Sequence, residues 1–344
     1  MGTVVLACAP CSWDTPLVLL RESLEFYKSL GASRPVLLVA AEDHRSRLLA
    51  ELDAHAWVVD EVFGRFVWAK TPVSGAPLPL VWAVDVWLDP LRIRYSSFED
   101  LCVRLGEKLA VPSADASRWI DMSTRHRPLS SQLTQKLNSF CASSSQAGVV
   151  RKWAQLRTDE AVFASRSLWP WGFLRSESRL RPGAAPSQAI SKLNEAFEIL
   201  GSPDKSDRVV DLGASPGSWT FACLQRGSAV FATDRSPLES SKWPPDWKRR
   251  LSFRAGDAFS WDFSSHQPTW ILSDLICTPE KLYTALQGWL RKCPGAGYVC
   301  TLKFKSDEGL DWIPRFQSIP DSLVLHLQNN QNEATFLKSP EKPS

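Results

Sequence analysis

Apolar positions follow one clear rhythm in the C-terminal half of the chain and a looser one before it. Short runs at 209–212, 229–233, 251–255, 270–273 and 298–303, largely apolar apart from the mixed LSFRA at 251–255, read as strands, the first of them buried. Helical spacing lies between them at about 217–226 and at 279–292, and runs at 323–327 and 334–337 look like a closing antiparallel pair. Strand alternating with helix predicts a parallel, doubly wound α/β sheet, with ligands at the carboxyl ends of its strands. Earlier in the chain, 3–8 reads as a strand, 15–31 as a helix closed by Gly31, and 35–41 as a strand followed by a charged helix to about Leu52. Two strand-like runs, 57–68 and 80–88, precede a helix over about 97–110. This predicts a small α/β or α+β domain at 1–110. Weakly periodic residues follow, giving a linker or irregular segment at 111–164 and a catalytic domain at 165–344.

Composition adds limits. At 344 residues, 44% apolar and 22% charged, the chain is ordinary globular protein and long enough for two domains. A net charge of +3 neither demands nor excludes a polyanionic partner. The eight cysteines are scattered, and Cys8 and Cys11 form a lone C-x-x-C without a second pair or clustered histidines, so no metal is expected and reduced thiols are the simpler reading. No apolar run reaches the roughly 20 residues of a membrane helix. The start lacks the basic region of a signal peptide, and Leu6 breaks the myristoylation pattern. A cytoplasmic protein with no membrane partner is expected; the sequence does not indicate its oligomeric state.

The strongest chemical signal is the run from Val209 to Trp219, VVDLGASPGSW. Gly213 allows a tight turn after the strand, and Gly217 lets backbone approach a ligand where a helix opens. The spacing is neither the dinucleotide fingerprint nor a P-loop. Asp234, at the tip of the second strand, could accept both hydroxyls of an adenosine ribose, and Asp257, after the third, could bind an adenine amino group. One such aspartate is usually a turn residue; carboxylates at successive strand ends beside a glycine turn reinforce one another.

The stretch DLGASPGSWT resembles the cofactor loop of FtsJ/RrmJ-type ribose 2′-O-methyltransferases. Within that group the chain is most similar to the RlmM type, which methylates a cytidine ribose in large-subunit ribosomal RNA. The resemblance covers about 184–340, with further landmarks at 185–197, 273–279, 301–305 and 332–335. It implies a Rossmann-like class I methyltransferase fold, S-adenosyl-L-methionine as cofactor and RNA, ribosomal in kind, as partner. It also implies a Lys-Asp-Lys-Glu tetrad, which falls on Lys192, Asp274, Lys303 and Glu333. Lys303 would be the general base, acting as a neutral amine that burial and the nearby cation of Lys192 favour. Asp274 and Glu333 would orient the two ammonium groups. Taken singly, Lys192 reads as a helix-surface lysine and Glu333 as an edge-strand charge. Lys305, two residues beyond Lys303, would share its side of a continuing strand.

By the same resemblance, Ser187, Asp211, Gly213, Ser215, Pro216, Gly217, Ser218, Trp219, Asp234, Asp257 and Asp274 line the cofactor site. Ser218 stands where a second glycine is usual, which predicts slight crowding of the methionine part of the cofactor. Gln188 and Ala189 replace a usual Arg-Ser. Arg166, Trp169, Trp171, Phe173, Arg175, Arg179 and Arg181 interleave cations with aromatic surface, a mixture suited to phosphate contact and base stacking, or else to core packing with solvated arginines. Lys242, Lys248, Arg249 and Arg250 form a second basic cluster. In the resembled family a THUMP-type N-terminal domain helps hold RNA, and residues 1–110 are compatible with one. Methylation of a protein or small molecule on the same fold, and a non-catalytic RNA-binding scaffold, are the other readings. The complete lysine–carboxylate set argues against both.

Overall fold

The apolar run at the first described strand becomes β1 (Pro35–Ala40), buried along all but its first residue. The structure is a computed structural model that describes residues 34–72, 79–108, 118–121, 135, 150–164, 166–167, 185–327 and 330–341. Expectations for 3–8 and 15–31, and for Cys8 and Cys11, lie outside the described residues. The chain divides into two compact units, one spanning Leu24–Glu177 and the other containing Ser178–Ser344.

In the first unit, α1 (Arg45–Ala54) follows β1. The single run expected at 57–68 is a hairpin of β2 (Val58–Phe63) and β3 (Phe66–Lys70), because Gly64, at φ +58°, turns the chain between Phe63 and Phe66. Next come β4 (Ala83–Leu88), β5 (Leu91–Arg94), α2 (Phe98–Lys108) and β6 (Arg118–Asp121). The expectation of an irregular stretch through 164 is corrected by β7 (Val150–Arg157) and β8 (Glu160–Ala164), which β9 (Arg166–Ser167) follows. One sheet has the order β2-β3-β1-β4-β9, the other β5-β8-β7-β6. Strand alternation lets β8 serve two cores. Val162 and Ala164 pack with Leu37, Val39, Phe66 and Trp87 of the first sheet, while Ala161 and Phe163 pack with Leu101 and Leu105 of α2.

The second unit follows the predicted rhythm closely. Its elements are α3 (Ile190–Leu200), β10 (Arg208–Leu212), α4 (Ser218–Gln225), β11 (Ala229–Asp234), β12 (Leu251–Ala255), β13 (Trp270–Ser273), α5 (Pro279–Lys292), β14 (Gly297–Lys303), α6 (Ile313–Gln317), β15 (Ser322–Leu325) and β16 (Glu333–Lys338). They form one seven-stranded sheet in the order β12-β11-β10-β13-β14-β16-β15. The first five are mutually parallel and β16 runs antiparallel to both its neighbours. From β10 the chain leaves to one side for β11 and later returns on the other as β13, so the order reverses between them. In an open α/β sheet that reversal opens a crevice at the carboxyl ends of the strands. Among the described residues no helix is long and apolar enough to cross a membrane.

Candidate active site

The glycine turn sits at the reversal point. Gly213, at φ +79°, carries the chain off β10, and a Cβ there would lie 3.0 Å from Leu275 Cδ2 and 3.2 Å from Leu275 Cα. Gly217, at φ +117°, opens α4, and a Cβ there would meet the Trp243 ring at 2.9 Å. Both glycines are therefore required by conformation and by close packing. Leu275 and Trp243 are partners that sequence spacing does not reveal.

Asp234 fixes this turn. Its Oδ2 accepts the Ser215 amide at 3.1 Å and its Oδ1 the Ser236 amide at 2.8 Å. A carboxylate offers about four acceptor positions, so capacity remains for two further hydroxyls. Beyond β12, Asp257 pairs with Arg235 at 3.3 Å on an open part of the surface. Asp211 is 1% exposed; Thr220 Oγ1 donates to its Oδ2 at 2.6 Å, and its Oδ1 has no hydrogen-bond partner. Burial pushes the Asp211 carboxyl up to about 7, the charges of Asp274 and Asp234 add to the rise, and Thr220 opposes it. A buried acceptor without a partner, beside two further carboxylates, suits a ligand that brings positive charge.

Ser187 and Ser218 meet directly. The Ser187 amide donates to Ser218 Oγ at 2.7 Å, the two hydroxyl oxygens are 2.8 Å apart, and Ser218 Oγ lies 3.2 Å from the Ser187 carbonyl. Trp219 donates its indole N–H to the Ala189 carbonyl at 2.9 Å, and Arg226 reaches Asn194 Oδ1 at 3.1 Å. Three polar ties thus fasten α3 to α4. Ser187, Ser218 and Trp219, noted in the sequence for the cofactor, make these ties here.

That fastening places Lys192, which is not a surface lysine: it is 3% exposed. Its Nζ lies 2.5 Å from Glu333 Oε2, 3.6 Å from Asp274 Oδ1 and 3.5 Å from Thr301 Oγ1. Lys303 Nζ lies 3.1 Å from Asp274 Oδ1, 3.0 Å from the Asp274 carbonyl and 3.8 Å from Glu333 Oε1. The four side chains close a ring of alternating charge, drawn from α3, the ends of β13 and β14, and the start of β16. Antiparallel pairing sets Lys303 opposite Glu333, and Asn332 holds that register by donating to the Phe304 carbonyl at 2.6 Å. Thr301 shares the Lys303 face of β14, an i, i+2 relation that could have flagged it. Lys305 does not share it in effect: β14 ends at Lys303, and Lys305 is exposed in a turn bridged to Glu308.

Of the residues expected to meet RNA, Arg166 is described only as backbone, paired with Leu88; Trp169, Trp171, Phe173, Arg175, Arg179 and Arg181 lie outside the described residues. In the second basic cluster Lys242, Lys248 and Arg249 are exposed, whereas Arg250 donates to the carbonyls of Leu224 and Ser228.

This strand order and site define a Rossmann-like methyltransferase fold. Residues 185–285 match the family model for FtsJ-like methyltransferase, so the second unit carries an FtsJ-like methyltransferase domain, as its motifs led one to expect. The chain is 33% identical over 132 residues to ribosomal RNA large subunit methyltransferase M of Thauera aminoaromatica, covering 36% of this chain and 34% of that one. It is 33% identical over 142 residues to the protein of the same name from Laribacter hongkongensis, covering 39% and 38%. The matched part thus spans little more than a third of these relatives' length. The crystal structure of TrmN from Thermus thermophilus aligns over 89% of this chain and 99% of that one, at 16% identity and a TM-score of 0.34, too remote a likeness to add to the strand order.

Proposed function

We propose that the second unit transfers a methyl group from S-adenosylmethionine to a ribose 2′-hydroxyl of RNA, and that the RNA is ribosomal. The observation that carries this reading is the closed ring Lys192–Glu333–Lys303–Asp274 at the ligand end of the sheet. Two ammonium and two carboxylate groups sum to no net charge, and the ring sets a lysine beside the place where substrate would enter. The Lys303 side chain is 24% exposed and that of Lys192 4%. Lys303 is thus the one a substrate can reach, and Lys192 is held inside the ring by Glu333 and Asp274.

A ribose hydroxyl is a very weak acid, and an ammonium cannot accept its proton. Lys303 acts from its neutral form: Nζ takes the hydroxyl proton as the oxygen attacks, and Asp274 and Glu333 stabilise the ammonium that results. Bound S-adenosylmethionine supplies an electrophilic methyl group on a sulfonium. Asp234 would hold its ribose, Asp257 its adenine amino group, the turn from Gly213 to Gly217 its backbone-facing side, and Asp211 its positive charge. Much of the acceleration comes from holding the hydroxyl oxygen in place. In this reading the first unit, an α+β domain compatible with the THUMP type, helps hold the RNA.

The test is incubation of the purified protein with methyl-labelled S-adenosylmethionine and ribosomal RNA from cells lacking the gene, followed by nucleoside analysis. A labelled 2′-O-methylnucleoside at one site is the expected product. Label on a base atom, on protein, or nowhere would count against the ribose assignment.

A further inference from the structure

Between β13 and α5 the chain passes through five residues, 274–278, at the rim of the lysine–carboxylate ring. Three of them are engaged and a fourth, Cys277, is partly covered. Asp274 holds Lys303 through both its carboxylate and its carbonyl. Leu275 packs beneath Gly213. Cys277 is half-buried, and Thr278 caps α5, its Oγ1 accepting the Lys281 amide at 3.3 Å. Ile276 is different: it is 91% exposed, whereas the other large exposed apolar residues among those described range from 36% to 60%. Its neighbours are anchored on both sides, so the backbone holds this side chain outward.

An isolated surface isoleucine usually needs no explanation. This one is two residues from Asp274, which limits the separation of their Cα atoms to about 7 Å. That is the scale on which a nucleotide's base extends from its own 2′-oxygen. Enzymes that act on a nucleotide commonly draw it out of its stack and hold its base against apolar or aromatic side chains. An aliphatic side chain covers the flat face of a base but makes no hydrogen bond to its edge, so such a contact holds any base and reads none.

We propose that Ile276 packs on the base of the target nucleotide and keeps that nucleotide unstacked while its ribose meets Lys303. The inference rests on RNA being the substrate. It makes Ile276 a substrate contact that confers position without base identity.

A double-mutant cycle between protein and RNA tests it. The protein variants are Ile276→Ser and Ile276→Leu, and the RNA is an unmodified large-subunit ribosomal transcript, with and without the base at the mapped target. Ile276→Ser should lower kcat/KM for intact RNA about tenfold, the loss expected for one apolar contact, and Ile276→Leu should restore most of it. S-adenosylmethionine affinity, read by calorimetry, should not change. On abasic RNA wild type and Ile276→Ser should react alike, because the contact is already gone. If the two losses simply multiply, or Ile276→Ser matches wild type on intact RNA, the inference is overturned while the ribose assignment stands. If wild type methylates a base atom, the ribose assignment fails and the inference fails with it, because the abasic RNA then offers no methyl acceptor. If wild type methylates no RNA, both fail.

Discussion

Among the described residues two lysines are buried beside carboxylates, with opposite consequences. In the first unit Lys152 Nζ lies 2.6 Å from Asp85 Oδ2, and both side chains are 0% exposed. Asp85 also accepts the Trp87 indole N–H at 2.8 Å and the Val86 amide at 2.9 Å. The pair lies within the two-sheet sandwich, and burial pulls the Lys152 pKa down against the attraction of Asp85. In the second unit Lys192 is almost as buried, but its carboxylates are shared with Lys303 and are 19% and 22% exposed. A sealed pair holds two sheets together. A shared, partly open ring leaves one lysine within reach of a substrate, the role proposed above for Lys303. Burial of a lysine therefore does not distinguish a catalytic from a structural site; access and sharing do.

The largest expected effect separates those roles. Lys303→Ala should lower single-turnover methyl transfer by about 10²–10⁴-fold, the usual contribution of a positioned proton acceptor, with little change in cofactor affinity or unfolding midpoint. Lys305→Ala should stay near wild type. The reverse pattern would mean the reactive lysine has been misassigned.

Next in size is the sealed pair. Asp85→Ala removes the carboxylate held against a buried ammonium and should destabilise the first unit by about 3–5 kcal/mol in chemical denaturation. Adding Lys152→Met should recover much of that loss. A loss under about 1 kcal/mol, as for an exposed pair, would dissolve the contrast.

How much of this was legible in the sequence also differs between the units. Parallel strands buried on both faces are largely apolar runs, so β10, β11, β13 and β14 could be read almost to the residue; β12, LSFRA, is an edge strand, exposed beyond its first residue, and is not the buried run its neighbours are. In β7 and β8 the signal is broken by Lys152, Gln155 and Glu160, all buried. They are satisfied by partners far away in sequence: Lys152 by Asp85, 67 residues off, and Glu160 by Arg92, 68 residues off. Local patterning cannot register such partners. The tetrad was visible only through family motifs. Lys192 alone looked like a helix-surface residue, and its burial depends on how α3 packs.

Asp234 and Asp211 sharpen the site at a smaller scale. Asp234→Ala should weaken S-adenosylmethionine binding by about 1.5–3 kcal/mol by calorimetry, the range for hydrogen bonds to a charged group. For Asp211 the prediction concerns pH. Its folded pKa of about 7 exceeds the ordinary 3.8, so between those values the folded state binds the extra proton. Stability should therefore be greater at the acid end of that window and fall as pH rises through it. Asp211→Asn should flatten this part of the denaturation profile relative to wild type. Parallel profiles for the two proteins would refute the assignment.

The smallest effect tests Ser218, which stands where the resembled family has glycine. If the side chain from Cβ outward crowds the cofactor, Ser218→Gly should tighten S-adenosylmethionine binding and leave stability nearly unchanged. The geometry argues otherwise, because Ser218 Oγ accepts the Ser187 amide at 2.7 Å and so ties the segment entering α3 to the start of α4. Losing one such hydrogen bond should cost about 0.5–1.5 kcal/mol of stability. Because α3 also carries Lys192, the turnover rate should fall further than cofactor affinity does. Ser218→Ala removes the same hydroxyl but keeps the Cβ, and should behave like the glycine variant if the tie is what matters. Tighter binding by glycine alone, with unchanged denaturation for both variants, would restore the crowding account and leave the placement of Lys192 to Trp219 and Arg226.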